Sequence, residues 1–432
     1  MQTNFSSEQL ADAATASSES VIRKCVHCGF CLATCPTYTL LGDELDSPRG
    51  RIYLMKQMLE GGGKPTDAVV KHVDRCLSCL SCMTTCPSGV HYMHLVDHAR
   101  AHIESHYQRP LTQRLIRSMI AVTLPYPKRF RFALALAKYL RPLKPVLEKF
   151  AALKPLAVML ANAPKAARRS RQESPSAVAG VVRGRVVLLQ GCVESTLRPE
   201  IRAATRRLLT RAGYEVVLAG DEGCCGALVH HMGREAQSLD AARRNIDTWT
   251  RELASGGLDA IVITASGCGT TIKDYGFMLR GDPKYAQSAA RVSALARDVC
   301  ELLDSGGLPA VSHAQSLNIA YHSACSLQHG QRITSAPMRL LSQAGFKVRQ
   351  PAESHLCCGS AGVYNILQPE IATKLGQRKA EQLQRIAPDV IATGNIGCLM
   401  QLRPYTSTPI VHTVELLDWA TGGPAPEAIS SH

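Results

Sequence analysis

Eight cysteines near the amino end are arranged in two runs of identical spacing. Each run reads C-x-x-C-x-x-C-x-x-x-C-P, and the two runs comprise Cys25, Cys28, Cys31, Cys35 and Pro36, then Cys76, Cys79, Cys82, Cys86 and Pro87. Three thiolates separated by two residues each can wrap a compact turn around one metal cluster, and the proline redirects the chain after the fourth. Thiolate sulfur is a preferred ligand of zinc and of iron–sulfur clusters. The pattern therefore indicates metal binding.

The same run is the established ligation motif of bacterial two-cluster ferredoxins, in which the fourth cysteine ligates the other cluster. By that rule the sequence predicts two 4Fe-4S clusters, held respectively by Cys25, Cys28, Cys31 and Cys86 and by Cys76, Cys79, Cys82 and Cys35. The alternative is a pair of zinc knuckles. Tetrahedral zinc usually takes two pairs of ligands and has no need of an eightfold pattern, which favours iron–sulfur clusters.

A second group of cysteines forms two similar sets further along the chain. Each set has four members, which are Cys192, Cys224, Cys225 and Cys268, then Cys325, Cys357, Cys358 and Cys398. Adjacent cysteines cannot close a comfortable disulfide, and the glycine after each pair permits close backbone approach. Two interpretations stay open, namely a further iron–sulfur cluster or reduced cysteines with a structural or quinone-site role. We expect the remaining cysteine, Cys300, to be a buried core thiol.

Several histidines lie beside these cysteine blocks and could orient a quinone or supply protons. They are His230, His231, His322, His329 and His355. A lone histidine is more often structural, so both interpretations stand for each of them.

The second group of cysteines lies in a duplicated segment. Residues 185–193 match 318–326, 208–217 match 340–349, 223–227 match 356–360, and 259–269 match 389–399, in the same order. Short apolar runs such as VVLL, EVVLA and AIVIT alternate with helical patterns, as at 199–211 and 234–253. This alternation predicts a parallel sheet covered on both faces. We expect the cysteines at the carboxyl edge of each sheet, where ligands bind in such folds.

Between the two amino-terminal runs, residues 47–60 have a helical pattern with Ile52, Met55 and Leu59 on one face. An insertion of this length predicts a helix-rich dicluster module. The fold class is therefore α+β and multi-domain, with a helix-rich two-cluster ferredoxin module followed by a duplicated α/β domain with parallel sheets. We predict a dicluster domain over 1–108, a basic helical linker over 109–180, and cysteine-rich repeats over 181–312 and 313–432.

The charge surplus is confined to the predicted linker. The chain has 49 Lys and Arg against 35 Asp and Glu, and between Arg109 and Gln172 one acidic residue, Glu148, accompanies 15 basic ones. The linker is interpreted either as a solvated helical connector or as a surface that docks an acidic partner or the anionic inner leaflet. It contains no recognised nucleic-acid reader motif, so we expect no nucleic-acid partner.

Composition also bears on location. The longest uncharged apolar stretches, such as 119–127 and 132–137, are far shorter than the roughly 20 residues of a membrane-spanning helix. The amino end lacks a basic and then apolar signal segment, and the cysteine count of 17 is odd, which disfavours a secreted disulfide scaffold. We expect a cytoplasmic protein with reduced thiols, either free in solution or peripheral on the cytoplasmic face of the inner membrane.

Taken together, these modules resemble the iron–sulfur subunit of bacterial glycolate oxidase (glycolate dehydrogenase). The resemblance covers nearly the whole chain and lies in CVHCGFCLATCPTYT at 25–39, LGDELDSPRGRIYLM at 41–55, DRCLSCLSCMTTCPSGVH at 74–91, TASGCGT at 264–270 and SHLCCGSAGVYN at 354–365. The repeats also resemble the cysteine-rich domains of heterodisulfide reductase catalytic subunits. In the fullest form of that pattern the last element is C-x-x-C, whereas Thr271 and Gln401 occupy its final position here.

The resemblance implies an electron relay. FAD-binding partner subunits oxidise glycolate to glyoxylate, and this chain, which binds no flavin or NAD itself, passes the electrons toward a quinone or another membrane acceptor. Three alternatives stay open: the equivalent subunit of a D-lactate or anaerobic glycerol-3-phosphate dehydrogenase, a heterodisulfide-reductase-like catalytic subunit, and an iron–sulfur sensor that binds DNA through the basic linker.

Overall fold

The computed structural model describes residues 1–149, 182–313 and 316–430, and it begins with a helical module. The α-helices of this module are α1 (Ser7–Ala11), α2 (Ala13–Arg23), α3 (Pro36–Leu41), α4 (Pro48–Gly61), α5 (Asp67–Asp74), α6 (Ser81–Thr85) and α7 (Tyr92–His106). A 3₁₀ turn, Glu44–Asp46, precedes α4. The module has a continuous apolar core of its own, formed mainly by α2, α4, α5 and α7. The expectation of a helix-rich amino-terminal module is confirmed.

The predicted helix between the two cysteine runs is α4. Its N-cap is Ser47, whose hydroxyl accepts a hydrogen bond from the Gly50 backbone amide at 3.0 Å. Ile52, Met55 and Leu59 are all buried, as the pattern predicts. Packing of this face supplies most of the stability of such a helix.

Each duplicated segment forms a four-stranded parallel sheet. The first sheet contains β1 (Gly184–Leu188), β2 (Tyr214–Val217), β3 (Ala260–Ile263) and β4 (Ala296–Asp298) in the order β2-β1-β3-β4. The second contains β5 (Asn318–His322), β6 (Lys347–Arg349), β7 (Val390–Thr393) and β8 (Ile410–His412) in the order β6-β5-β7-β8. All pairings within both sheets are parallel. The prediction of two parallel-sheet repeats is confirmed.

Helices cover both sheets. In the first repeat these are α11 (Glu194–Leu197), α12 (Pro199–Arg211), α13 (Ala227–His230), α14 (Glu235–Gly256), α15 (Ser266–Lys273), α16 (Tyr275–Met278), α17 (Ala286–Leu295) and α18 (Val299–Gly306). In the second they are a π-helical turn (Ser326–Gly330), α19 (Ala336–Gln343), α20 (Tyr364–Leu367), α21 (Pro369–Gln384), α22 (Ile396–Leu402), a 3₁₀ turn (Arg403–Tyr405), α23 (Thr413–Ala420) and α24 (Glu427–Ser430).

The fourth strand of each sheet is an element that the sequence pattern did not predict. β4 and β8 are three residues long, so neither is long enough to produce a recognisable alternation or apolar run. Each is paired with the preceding strand of its sheet and is followed at once by a capped helix.

The two repeats share one apolar core. Side chains of β1 and β3 lie in the same cluster as those of β5, β7 and β8. Ion pairs at the repeat boundary join α12 to α23, where Arg198 contacts Glu415 at 2.9 Å and the buried Asp418 accepts from Arg211 at 2.5 Å. The repeats therefore form one packed body.

The basic segment continues from the helical module through α8 (Leu111–Thr123), α9 (Pro127–Leu140), a 3₁₀ turn (Arg141–Leu143) and α10 (Lys144–Glu148). The predicted linker beyond residue 149 lies outside the described residues, and the predicted domain limits stay predictions. Two side chains at the start of the segment depart from the solvated interpretation, because Arg109 and Arg117 are buried and both contact Asp74 of α5. Arg114 and Leu115 are exposed. In the described part of the chain, no helix combines the length and apolar character that crossing a bilayer requires.

Candidate metal centres

The eight amino-terminal cysteines lie around two neighbouring cavities. The first cavity is lined by Cys25, Cys28, Cys31 and Cys86, together with Cys82. The second is lined by Cys35, Cys76, Cys79 and again Cys82. Each predicted set of four is thus brought together. Cys86 of the second run lies at the first cavity, and Cys35 of the first run lies at the second, so the two runs are interleaved.

The turns that contain the cysteines have unusual backbone conformations. His27, Ser78 and Leu80 have φ angles of 54°, 48° and 62°, which non-glycine residues rarely adopt. These residues alternate with the cysteines of the C-x-x-C turns. Left-handed residues cost free energy and persist where the surrounding structure requires them, typically at functional sites.

The two cavities differ in their exposure to solvent. Cys28 is exposed, and its neighbours Val26 and Phe30 have 66% and 65% of their surface accessible. Cys35, Cys76 and Cys79 are buried. The first cavity therefore has one exposed cysteine with exposed neighbours, while three cysteines of the second are buried.

A buried charge network supports the second cavity. Arg51 is almost fully buried, donates to the Asp46 carboxylate at 3.1 Å and to the Thr37 hydroxyl at 3.0 Å, and has Nη1 3.9 Å from Cys35 Sγ. Asp46 is also contacted by Arg75 at 2.8 Å and by His72 at 2.9 Å. The cationic guanidinium is placed to stabilise negative charge on sulfur. The sequence gives little sign of this role for Arg51, beyond an arginine next to the apolar face of α4.

Burial strongly disfavours the thiolate form in the absence of a cation. It raises the pKa of Cys31 to about 11 and the pKa values of Cys79 and Cys82 well above their usual range. A reactive catalytic cysteine requires the opposite shift. The raised values fit ligands that ionise when a metal binds.

In the first repeat the four predicted cysteines converge beyond the carboxyl ends of the strands. Cys192 Sγ lies 3.6 Å from Cys224 Sγ, and the pKa of Cys225 is raised by hydrogen bonding with the Cys224 and Cys268 thiols and by burial. The Tyr275 hydroxyl donates to the Cys225 carbonyl at 2.7 Å. Asn245 of α14 donates to the Cys224 carbonyl at 3.2 Å.

In the second repeat the equivalent four cysteines also converge. Cys325 Sγ lies 3.7 Å from Cys357 Sγ, and the Asn395 amide donates to Cys398 Sγ at 3.5 Å. Hydrogen bonding with the Cys357 thiol lowers the pKa of Cys358, but hydrogen bonding with the Cys398 thiol and burial raise it, and the pKa lies well above its usual range. Lys379 of α21 is buried, and its ammonium group donates to the Glu353 carbonyl.

The glycine after each cysteine pair is required by its backbone. Gly226 and Gly359 have φ angles of +87° and +89°. A Cβ at Gly226 would lie 3.0 Å from the Ser238 carbonyl oxygen, and one at Gly359 would lie 2.7 Å from that of Ala372. Each cysteine loop is therefore pressed against the helix that follows, α14 or α21.

The second cavity of the helical module adjoins the cysteines of the second repeat. Leu77 and Cys79 pack in one apolar cluster with Cys357 and Tyr364. The Tyr364 hydroxyl donates to the Arg75 carbonyl at 2.9 Å. Cysteines of the first repeat, in contrast, pack within the core of their own repeat.

The five histidines singled out from the sequence have different surroundings. His230 contacts Asp97 of α7 at 3.2 Å, and His329 contacts the Thr84 hydroxyl at 2.7 Å and donates to the His355 carbonyl at 3.1 Å. These contacts join the helical module to the repeats, which supports a structural role. Burial lowers the pKa of His231 to about 4 and that of His322 to about 3. Cys300 is buried in the shared core, as predicted.

The donor sets fit iron–sulfur clusters. Each cavity of the helical module has at least four sulfur atoms on its lining, and all seventeen cysteines, every one in a described range, are free thiols. Four thiolates are the usual ligand set of a 4Fe-4S cluster. Backbone amides and the cation of Arg51 supply the positive partial and full charges that tune such clusters.

Comparisons with known proteins agree with this geometry. Residues 21–90 match the family model of the 4Fe-4S dicluster domain, and residues 186–273 and 319–403 both match that of the cysteine-rich domain. A crystal structure of a hypothetical protein from Helicobacter pylori aligns with a TM-score of 0.54 at 10% identity, covering 97% of this chain and 74% of that chain, which bears on the fold alone.

Among curated proteins, the glycolate oxidase iron-sulfur subunit of Escherichia coli (strain K12) is 41% identical over 97% of this chain and 99% of that protein. A probable glycolate oxidase iron-sulfur subunit of Bacillus subtilis (strain 168) is 31% identical over 89% of each chain. Because this similarity spans nearly the whole length and both kinds of cysteine motif, the chain belongs to the family of glycolate oxidase iron-sulfur subunits and is an electron-transfer subunit of an oxidoreductase complex.

Proposed function

We propose that this chain relays single electrons from FAD-containing partner subunits that oxidise glycolate to glyoxylate toward a quinone or another respiratory acceptor. The observation that carries the proposal is the interleaved grouping of eight cysteines around two neighbouring cavities, with Cys82 on the lining of both. When bound, a 4Fe-4S cluster accepts and releases one electron at low structural cost. Two adjacent sites of this kind suit a relay.

The cysteines that line each cavity include the set of four that the sequence predicts. Cys25, Cys28, Cys31 and Cys86 would hold the first cluster, and Cys35, Cys76, Cys79 and Cys82 the second. Cys86 of the second run lines the first cavity, and Cys35 of the first run lines the second. This crossing would fix the separation of the two sites. Burial of the second site excludes water from it, while Arg51 compensates its negative charge.

The difference in exposure gives the relay a direction through the protein. The exposed Cys28, flanked by Val26 and Phe30, offers a surface at which a partner can approach the first site. The second site faces Cys357 of the second repeat through shared apolar packing. Electrons exchanged at the surface would thus pass inward toward the cysteine-rich domain.

Assignment of glycolate depends on the partner subunits and is supported by the similarity to glycolate oxidase iron-sulfur subunits. The test is anaerobic co-purification with the partner flavoprotein, followed by rapid-mixing measurement of iron–sulfur bleaching with glycolate, D-lactate or glycerol 3-phosphate. We expect bleaching with glycolate. Bleaching only with one of the other two substrates would replace the substrate while retaining the relay, and a colourless, zinc-containing protein with full activity would refute the relay.

A matched pair of variants tests the role of the cavities. Cys79→Ser removes a buried ligand of the second site, whereas Cys300→Ser alters a core thiol outside both cavities. We expect Cys79→Ser to reduce electron transfer by about 100-fold or more, since even indirect changes around a metal typically cost 10- to 100-fold. Electron transfer should persist in the folded fraction of Cys300→Ser. Equal losses in the two variants would contradict the assignment.

We also propose that α8 and α9 contact an anionic membrane surface peripherally. Exposed apolar side chains alternate with exposed basic ones on these helices, as with Leu115 and Phe132, which are 61% and 71% accessible, beside Arg114 and Lys128. Such helices bind at lipid interfaces through apolar insertion and attraction to anionic headgroups. This placement would bring the relay to a membrane acceptor.

Flotation of the holoprotein with vesicles of phosphatidylglycerol and phosphatidylethanolamine tests this contact. We expect binding that weakens in Phe132→Ser and Lys128→Glu and at high salt, while Tyr53→Ser, an exposed aromatic site on α4, leaves it unchanged. Absence of vesicle binding, or binding only through an acidic partner subunit, would contradict the lipid contact.

A further inference from the structure

His322 is a buried histidine without a hydrogen-bond partner. It is the last residue of β5, it is 1% exposed, and neither of its ring nitrogens is hydrogen-bonded to any described residue. Buried polar atoms in native proteins nearly always have a partner, and an exception calls for a water, an ion or a functional role to account for it. The other histidines near cysteines, such as His230 and His329, have partners.

Two thiols lie close to this imidazole. One nitrogen of His322 and the Sγ atoms of Cys358 and Cys398 all lie within 4.8 Å of one another, and all three residues are buried. Cys358 in turn neighbours Cys357, whose thiol lies 3.7 Å from that of Cys325. Four sulfurs and one nitrogen are therefore contiguous.

Five nitrogen and sulfur donors exceed what one tetrahedral ion uses. Imidazole and thiolate together do ligate iron–sulfur clusters, in which histidine in place of cysteine raises the reduction potential. We propose that the second repeat binds an iron–sulfur cluster through four cysteines and His322, so that the imidazole supplies the fifth ligand. This inference rests on the proposed function in one respect, which is that the chain binds iron–sulfur clusters.

The position where a fifth cysteine would stand cannot supply that ligand. Gln401 is buried, its amide nitrogen donates to the Ala372 carbonyl at 2.9 Å, and its oxygen accepts from Asn365 at 3.2 Å. Its polar atoms are thus engaged with the protein. His322 approaches the same cysteines from the strand end and has both nitrogens available.

The first repeat lacks this ligand. In the matched segments 185–193 and 318–326, Leu189 occupies the position of His322, and its side chain is buried in an apolar cluster. Thr271, the counterpart of Gln401, donates to the Gly267 carbonyl at 3.3 Å. The first repeat is therefore left with four cysteines, and the duplication has produced two unequal sites.

The test combines metal analysis with pulsed electron paramagnetic resonance of the complete protein, purified anaerobically after histidine-specific ¹⁵N labelling. We expect iron beyond that of the dicluster module and a ¹⁵N hyperfine coupling from a directly bound histidine. His322→Leu, which copies the first repeat, should lose the coupling and most of the extra iron. His322→Cys should lose the coupling and retain the iron, which keeps the test valid if the leucine variant folds poorly.

The matched control is Leu189→Ala in the first repeat, which should retain both the coupling and the extra iron. The inference is overturned if wild-type protein lacks the coupling, if the coupling survives in both His322 variants, or if zinc replaces the extra iron. Signals of the dicluster module serve as an internal reference. Their presence without the nitrogen coupling would refute this inference alone, whereas their absence would count against the proposed function.

Discussion

The two cysteine-rich repeats have the same sheet order and the same paired-cysteine loop, yet they differ in the groups that face the thiols. His322 and Lys379 lie at the cysteines of the second repeat, where the first has Leu189 and Asn245. Lys379 and Asn245 are equivalent because each lies seven residues beyond the helix residue that contacts the loop glycine, Ala372 or Ser238. The duplication has preserved the backbone and changed the chemistry.

The cysteines of the two repeats also differ in what they pack against. The second repeat packs its Cys357 against Cys79 of the helical module, while the first keeps its cysteines within its own core. The cysteines of the second repeat are therefore the ones that adjoin the second cavity of the helical module. Loops that are equivalent in backbone thus have different surroundings in the two repeats. Three predictions test how far the equivalence extends.

The largest effect is expected at the loop glycines. Gly359→Ala places a Cβ at 2.7 Å from a backbone carbonyl and forces alanine to φ +89°, so we expect a loss of about 3 kcal/mol of stability. Gly226→Ala has a looser contact, 3.0 Å, and should lose about 2 kcal/mol. The measurement is the apparent melting temperature of the anaerobic protein, with iron content determined in parallel.

Gly61 offers the control for these substitutions. It ends α4 without a left-handed φ, and nothing lies within 4 Å of the position of its Cβ, so Gly61→Ala should change stability by less than about 1 kcal/mol. Only Gly359→Ala should also release the extra iron proposed for the second repeat. Equal destabilisation by all three substitutions would show that the loop geometry is not the cause.

A second prediction concerns the helix caps beside β4 and β8. Asp298 caps α18, and burial raises its pKa to about 7; His412 caps α23, and burial lowers its pKa to about 4. The fold favours the protonated form of Asp298, so its contribution to stability is lost as pH rises from about 4 to 7. The fold favours the neutral form of His412, so its contribution is lost as pH falls from about 6.5 to 4. Lys273 and Glu301 face Asp298, and Arg198 faces His412.

These opposite dependences offset each other in the wild-type protein. Between pH 5 and 6.5, Asp298→Asn should make stability rise with pH, and His412→Asn should make it fall, each by about 1 kcal/mol per pH unit. Asparagine retains capping ability in both cases. Apparent melting temperatures across this range provide the measurement. If the melting temperatures of the two variants changed with pH in the same direction, Asp298 and His412 would not have opposite effects on stability, and this difference between the repeats would be refuted.

The sequence predicts the helices and strands of this molecule better than its side-chain contacts. Strand and helix periodicity located the parallel sheets, and Ser47 with Ile52, Met55 and Leu59 located α4, because those signals are local. β4 and β8 were missed because three residues carry too little pattern.

The interleaved cysteine sets follow a known spacing, so their grouping could be anticipated from the sequence. Arg51 and Lys379 could not be assigned to cysteines, because the cysteines that they approach are 16 or more residues away along the chain and are brought near by folding. His322 was visible as one histidine among several. What distinguishes it is burial without a partner, which is a property of the tertiary structure.

The smallest effect is expected at the residues next to the cysteines, where Lys379 acts through its charge and Asn245 through its hydrogen bonds. Lys379 is 2% exposed, and its charge interacts electrostatically with Cys358, Cys357 and Cys398. Lys379→Met removes a buried cation, so we expect about tenfold weaker metal retention in the second repeat. Methionine is of similar length and carries no charge that must lose its water on burial. The free energy of unfolding of the metal-free variant should therefore exceed that of the metal-free wild type by up to about 1 kcal/mol.

Asn245→Leu is the matched substitution in the first repeat. It leaves the Gly223 amide and the Cys224 carbonyl without their side-chain partner, so it should cost about 1 to 2 kcal/mol of stability without altering the cluster spectrum. Iron retention during dialysis against a chelator, measured beside the melting temperature, distinguishes the two effects. If Lys379→Met lowers stability and keeps its iron, as expected for Asn245→Leu, then the lysine is a structural hydrogen-bond donor and the two repeats are more alike than their cysteine surroundings indicate.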